Sequence, residues 1–271
     1  MISELEEVAE RCLTSEIPFR ENFFFLVGSR KWGKKIAPNA LVLMGFSILY
    51  AHTLKSSYLE VANNLAEIII ARFDGANLQR LPGKNGHISD YGHSGLAMFT
   101  AWEATFNEDY LNMAESIVKS AIDRFSSPDG AIYSSDNKSI MFMRFEEKYD
   151  HAQPSGAHSI LLAWERIYSI GKMKEYEPLV QRIIKRREKV ASQIPAMVSS
   201  FVQTLHELED GPTTLKVPSF FKDDDPSLLK WVGTDVRLIP DFQSDVYQYC
   251  KNNACMLPVK SSKELNLKFA W

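Results

Sequence analysis

Cysteine is scarce in this chain: Cys12, Cys250 and Cys255 are the only three in 271 residues. Three thiols are too few for a disulfide framework and suit a reducing compartment in which at most one pair has a task. A surplus of basic charge is also missing. Lys and Arg total 31 against 34 Asp and Glu, for a net charge of -3. No basic stripe interleaved with aromatics is present, which argues against a nucleic-acid partner. The start, Met1-Ile2-Ser3-Glu4-Leu5-Glu6-Glu7, is acidic and lacks the basic residues and apolar run of a signal peptide. The longest apolar stretch, Ala40 to Ala51, is short for a bilayer span. These absences lead us to expect a soluble, cytoplasmic protein with no membrane partner.

What the chain does have is 45% hydrophobic content, enough to bury one sizeable core, and an internal repeat. The segment from Tyr58-Leu59-Glu60-Val61-Ala62 to Ile70-Ala71-Arg72-Phe73 aligns without a gap on Tyr110-Leu111-Asn112-Met113-Ala114 to Ile122-Asp123-Arg124-Phe125. In each copy the apolar residues fall at helical spacing, Leu59, Ala62, Leu65, Ile69, Phe73 and Leu111, Ala114, Ile117, Ala121, Phe125. Ser57 with Glu60 reads as a capping box, and Asn107 ahead of Glu108-Asp109 as an N-cap. A more apolar helix precedes each copy, over Ala40 to Leu54 and Ser94 to Phe106, so the unit is a helical hairpin.

A third hairpin is expected from Pro154 through Leu161-Leu162-Ala163-Trp164 to a return helix over Tyr176 to Val190, followed by a single helix over Pro195 to Leu208. A lone helix over Ser3 to Leu13 opens the chain. Asp129 to Phe145 reads as a turn with short β pieces. After Gly211-Pro212 the pattern becomes strand, short helix, strand and helix, over Thr214–Phe220, Pro226–Trp231, Val236–Ile239 and Ser261–Leu267. We therefore expect a mainly α protein: residues 1–211 as a partial α/α toroid of about three and a half helical hairpins, and residues 212–271 as a small α/β extension packed on it.

Specific residues sharpen this. Asp150-His151-Ala152-Gln153-Pro154-Ser155-Gly156 ahead of an apolar helix resembles the D-x-A-x-P-S-G motif of thioredoxin-domain proteins related to the spermatogenesis-associated thioredoxin-like proteins. Three other segments resemble that family in order. They are Lys35 to Leu41, Ser89-Asp90-Tyr91 with Trp102-Glu103-Ala104-Thr105, and Cys250 to Val259 with its C-x-N-x-x-C-x-x-P-V pattern. The resemblance covers roughly residue 30 to the C-terminus. It implies the C-terminal part of an α/α toroid similar to six-hairpin glycosidases and N-acylglucosamine 2-epimerases. The chain departs from the family where Pro38 replaces Trp, Ala40 replaces Gly, and Ala157-His158 replaces Asn-Ser.

Two functions from different classes follow. In one, the chain is a half-toroid that assembles with itself or with a separately encoded N-terminal half, because an arc leaves the apolar flanks of its end helices uncovered. In the other it acts on a carbohydrate, as a glycoside hydrolase or a sugar epimerase. Hydrolysis needs an acid and a carboxylate across the scissile bond, and Asp90 and Asp150, each expected in a loop ahead of an inner helix, are the pair. Epimerisation needs bases near neutral pKa, which His151 and His158 supply, with His93 close by. Tyr91, His93 and Trp102 are candidates for holding the sugar. Cys250 and Cys255 are a candidate disulfide or thiol pair, their four-residue spacer being longer than that of a redox C-x-x-C. His87 with His93, and His151 with His158, lack metal-ligand spacing, so neither metal nor cofactor is expected.

Overall fold

The computed structural model describes Glu6, Glu10 and residues 35–136, 143–252 and 254–268. Apart from Glu6 and Glu10, which are helical, the expected opening helix lies outside these residues, as do Cys12 and Asn253. The first hairpin is α1 (Ile36–Thr53) and α2 (Ser56–Ile70), the second α3 (Ile88–Thr105) and α4 (Glu108–Phe125), the third α5 (Gly156–Ser169) and α6 (Glu177–Gln193). A single helix α7 (Ser199–Asp210) follows a 3-10 turn at Pro195–Met197.

Burial separates the two layers. Sixteen of the eighteen residues of α3 are buried, so it is interior on every side. Its partner α4 buries one stripe, Tyr110, Leu111, Ala114, Ile117, Val118, Ala121, Ile122 and Phe125, with the opposite face in solvent. The odd-numbered helices pack in sequence, α1 on α3, α3 on α5 and α5 on α7, while α2 packs on α1 and α4 on α3. The chain is thus an arc of four inner helices backed by outer ones, a partial α/α toroid. The gapless repeat corresponds to two outer helices, α2 and α4, whose Tyr58 and Tyr110 are both buried.

Inner helices α3 and α5 lie side by side with their first turns in register. A Cβ built on Gly92 would fall 2.2 Å from the carbonyl oxygen of Gly156, and one on Gly156 would fall 2.4 Å from Cα of Ser89. Only glycine allows backbones this close.

The α/β extension is a four-stranded mixed sheet in the order β4-β3-β5-β6, built from β3 (Thr213–Val217), β4 (Val236–Pro240), β5 (Gln248–Lys251) and β6 (Ala254–Cys255). Between parallel β3 and β4 the chain crosses over through α8 (Phe221–Asp224) and a 3-10 helix, Pro226–Trp231, and α9 (Ser262–Lys268) comes last. Leu215, Val217, Phe221, Leu229, Val236 and Leu238 form a second apolar cluster. It includes Ala51, Ala104 and Phe106, so the sheet packs on the C-terminal ends of α1 and α3. Cys250 and Cys255 face each other across β5 and β6 and are joined by a disulfide.

Several expectations are corrected. Inner helices begin earlier than their apolar runs suggest, at Ile36 and Ile88 rather than Ala40 and Ser94, because Pro38-Asn39 and Ser89-Asp90, residue types common in loops, fall within their first turns. Asp90 is therefore within α3, not in a loop before it. Helix α2 starts at Ser56 after Lys55, which makes no side-chain cap, so the Ser57 capping box does not form. Asn107 does cap α4, its Oδ1 accepting from Asp109 N at 3.0 Å. A short hairpin, β1 (Gln79–Leu81) and β2 (Lys84–Asn85), was not anticipated. Helix α1 is also long and apolar enough to pass as a membrane span on length and composition, with a mean hydropathy of 1.3. Half of it is buried inside the arc.

Candidate functional site

The N-terminal ends of the four inner helices are stapled together by two aspartates. At the third position of α3, Asp90 Oδ2 accepts from His87 N at 2.8 Å, and its carboxylate also takes a backbone hydrogen bond from Ala37 in the first turn of α1. Burial pushes its pKa up, against the pull of these bonds and of Arg80. Asp150 joins α5 to α7. Its Oδ1 accepts from Ser155 N at 2.8 Å and from Ser200 Oγ at 2.5 Å, and its Oδ2 accepts from Ser200 N at 2.9 Å. Burial raises its pKa, but the bonds from Ser200, Ser155 and His158 outweigh this and hold it at about 2. With the Gly92–Gly156 contact between α3 and α5, all four inner helices are linked at this rim.

His158 is part of the same staple. Arg187 Nη1 donates to its Nε2 at 2.8 Å. Because a guanidinium can only donate, Nε2 is the acceptor and Nδ1 carries the proton, which is given to Asp150 Oδ1 at 3.0 Å. Burial and then Arg187 lower its pKa to about 4. Both ring nitrogens are engaged, so His158 is not free to move a proton. His151, by contrast, is exposed.

The inward faces of the four inner helices enclose a cavity of about 190 Å3. Each helix contributes a stripe at helical spacing: Leu41, Met44 and Ile48 from α1; His93, Leu96 and Thr100 from α3; His158, Ser159, Leu162 and Arg166 from α5; Ser200 and Gln203 from α7. Pro154 lies at one end and Gly233 of the extension at the other. His93 is 2% exposed, and its Nδ1 lies 3.1 Å from Ser159 Oγ. The Ser159 hydroxyl donates to Ser155 O at 3.0 Å, so Nδ1 carries the imidazole proton and Nε2 is left as a lone pair. That Nε2 has no partner among the described residues. Burial lowers the His93 pKa to about 4, so the ring is neutral.

Beyond the cavity, where α3, α5 and α7 end, lies a buried charge cluster. Arg166 donates to Glu207 Oε1 at 3.1 Å, and Arg237 of β4, 1% exposed, pairs with Glu207 and with Glu165 Oε2 at 3.4 Å. Glu103 Oε2 accepts from Gly233 N at 3.4 Å, and its Oε1 has no partner among the described residues. Burial pushes Glu165 up to about 7 and Glu103 upward as well. For Glu207 burial acts the same way, but Arg166 and Arg237 outweigh it and hold the carboxyl below its usual range.

Of the residues singled out from sequence, His93 and His158 line the cavity, whereas Asp90, Asp150, Tyr91, Trp102 and His151 do not. Tyr91 is core: its hydroxyl accepts from Leu78 N at 2.8 Å and its ring packs edge-on against Phe125. Trp102 is also core, among Phe99 and Phe106, with Nε1 donating to Glu108 at 3.2 Å. Sequence reading missed Thr100, Ser159, Arg166, Ser200 and Gln203, as well as the Glu–Arg cluster. The first of these was within reach, since His93, Leu96, Thr100 and Glu103 follow the three-four-three spacing of one helix face. No group of His, Cys, Asp or Glu able to hold a metal ion occurs among the described residues.

No protein-family model matches the chain, and no curated protein does. Among solved structures it is similar to a glycoside hydrolase family 76 mannosidase from Bacteroides thetaiotaomicron VPI-5482, at 17% identity and a TM-score of 0.46 over 57% of this chain and 44% of that one. It is also similar to the α-1,6-mannanase GH76A of Salegentibacter sp. HEL1_6, at 14% identity and a TM-score of 0.49 over 62% of this chain and 51% of that one. A family 88 glycosyl hydrolase from Bacteroides vulgatus matches at 15% identity and a TM-score of 0.43, over 60% and 52% of the two chains. The chain thus spans about half the length of the glycosidases it matches.

Proposed function

We propose that this chain acts on a carbohydrate held in the cavity between the inner helices. The observation that carries the reading is His93. It is a buried, neutral imidazole in the wall of an otherwise largely apolar cavity, and its Nε2 lone pair is unmatched among the described residues. An unpaired buried acceptor costs about 1–3 kcal/mol, a cost that a ligand hydroxyl donating to it recovers. An apolar cavity with a few fixed polar groups and a perturbed titratable residue is the usual form of a small-molecule site. Asp90 and Asp150 support this reading as framework, because their bonds hold the helices whose inner faces make the wall. For either to serve as the acid or nucleophile of a glycosidase, it would have to give up helix-end hydrogen bonds. The test is calorimetric titration with a panel of mono- and oligosaccharides on the wild type and His93→Leu, with hydrolysis and epimerisation of the same panel followed by chromatography. Binding that is lost in His93→Leu supports the reading; a panel that gives neither binding nor turnover removes it.

A second reading, assembly with another copy or with a separately encoded N-terminal half, is favoured by one observation. Ile194, Met197 and Val202, at the α6–α7 end of the arc, are exposed apolar side chains where a further hairpin would pack. Sedimentation equilibrium on the wild type and on Met197→Lys/Val202→Lys checks it. A dimer dispersed by the two lysines supports assembly, and a wild-type monomer at all concentrations removes self-association.

A further inference from the structure

The polar atoms in the cavity wall share one property that bears on which carbohydrates fit, an inference that rests on the cavity being the ligand site. The hydroxyl and imidazole hydrogens of the wall are already spent. Thr100 Oγ1 donates to Leu96 O at 3.0 Å, Ser159 Oγ to Ser155 O at 3.0 Å, and Ser200 Oγ to Asp150 Oδ1 at 2.5 Å. His93 gives its only ring proton to Ser159, as its tautomer requires. Each of these groups therefore keeps lone pairs and has no hydrogen left to offer. The other N–H groups of the lining also bond outward from it, His158 Nδ1 to Asp150 Oδ1 at 3.0 Å, Gln203 Nε2 to Glu207 Oε1 at 3.2 Å and Arg166 Nη2 to Glu207 Oε1 at 3.1 Å.

Charge is balanced in the same direction. Among the described residues, Arg166 is the one permanently charged side chain in the lining, and no carboxylate lines the cavity to receive an ammonium group. Arg166 also donates to Gly233 O at 3.4 Å and is surrounded by Glu103, Glu165 and Glu207, so its charge is already met by carboxylates behind the wall. An anion entering the cavity would find acceptors facing it and a guanidinium that is already paired. A cation would find no counter-charge.

We propose that the cavity selects uncharged, hydroxyl-rich ligands, which donate hydrogen bonds to His93 Nε2 and to the hydroxyl oxygens of Thr100, Ser159 and Ser200. It discriminates against uronates, sugar phosphates and amino sugars. Selection of this kind comes from leaving buried groups unpaired or mismatched when the wrong ligand binds, which penalises it more than a change in size does.

The experiment is calorimetry at neutral pH with four probes: methyl α-D-mannopyranoside, D-glucuronate, D-glucose 6-phosphate and D-glucosamine. Each is titrated into the wild type, Thr100→Val, His93→Leu and His93→Gln. The neutral glycoside is expected to bind at least about tenfold more tightly than the charged probes. Thr100→Val, which removes one acceptor at constant shape, is expected to weaken the neutral ligand about fivefold to tenfold. His93→Gln, which keeps an acceptor, is expected to hold affinity better than His93→Leu. Circular dichroism melts identify any variant that has lost its fold, and Thr100→Val decides if the His93 variants do so. A charged probe that binds as tightly as the neutral one, and is weakened by Thr100→Val, overturns the selectivity while leaving the cavity as the ligand site. Binding that none of the variants alters places the ligand elsewhere and overturns both. No binding by any probe removes the carbohydrate reading itself.

Discussion

Arg237→Met is the sharpest test of how the sheet is fixed to the arc. The guanidinium of Arg237 comes from β4 and enters between Glu165 of α5 and Glu207 of α7, with Arg166 completing the cluster. Methionine fills much of the same volume and removes the charge, leaving two buried carboxylates to share one arginine. Removing one partner from a buried pair costs about 3–5 kcal/mol, because the charge left behind is uncompensated. For a chain of this size that is a fall of roughly 10 °C in Tm, at about 2–4 °C per kcal/mol. The loss has to depend on pH. Burial raises the Glu165 carboxyl to about 7, so at about pH 8 it is ionised and needs Arg237, whereas at about pH 5 it is protonated and does not. Urea melts of wild type and variant at both pH values measure the difference. Losses of equal size at the two pH values, or a loss under about 1 kcal/mol at pH 8, would refute the account of the cluster as a charge-dependent joint. The double variant Arg237→Met/Glu207→Gln should recover part of the loss, as coupling within one network requires.

Other outcomes follow from single features. His93 and His158 are each held near pKa 4 against an ordinary 6.5, so the unfolded chain binds more protons between those values. Stability should fall as pH drops from about 6.5 to about 4, by up to about 3 kcal/mol for each histidine, and chemical denaturation across that window measures it. Gly156→Ala should destabilise by about 3 kcal/mol, since its Cβ meets the backbone of Ser89, whereas Gly45→Ala, with nothing within 4 Å in α1, should stabilise by about 0.5–1 kcal/mol. A pair of thermal melts with the opposite order would count against the close packing of α3 on α5. Ser200→Ala removes one bond to Asp150 and should cost about 1–3 kcal/mol, with protease sensitivity gained first near Met197 and Ser199 as α7 loosens.

The helical layers could be read from the sequence because their signal is local. Tyr58 and Tyr110 begin two stripes of the same period, and that period makes each helix one-sided, hence outer. The inner helices betrayed themselves by lacking a polar face, but their beginnings were hidden. Asp90 and His93 look like loop residues until the neighbouring helices that satisfy them, through Ala37 and Ser159, are in place. Asp90 and Asp150 stood out for their chemistry, yet their hydrogen bonds run to residues of other helices, Ala37 and Ser200, that no spacing rule connects to them. The cluster around Glu207 was hidden for the same reason: Arg237 lies in a strand of a different motif, 30 residues along the chain. The cavity wall is intermediate, since each stripe is periodic but the four only meet once the arc is formed.

The contact between Gly92 and Gly156 has a mechanical consequence. It is backbone against backbone, so no change of rotamer can relieve it or let the two helices slide. The middle of the arc therefore behaves as a pivot, and any breathing must be taken up on either side of it, through the Asp90 staple toward α1 and the Asp150 staple toward α7. Displacement grows with distance from such a point. On the proposed carbohydrate reading, the walls contributed by the two end helices, Leu41, Met44 and Ile48 on one side and Ser200 and Gln203 on the other, would have the most freedom to give way to a ligand, while His93 stays beside the fulcrum.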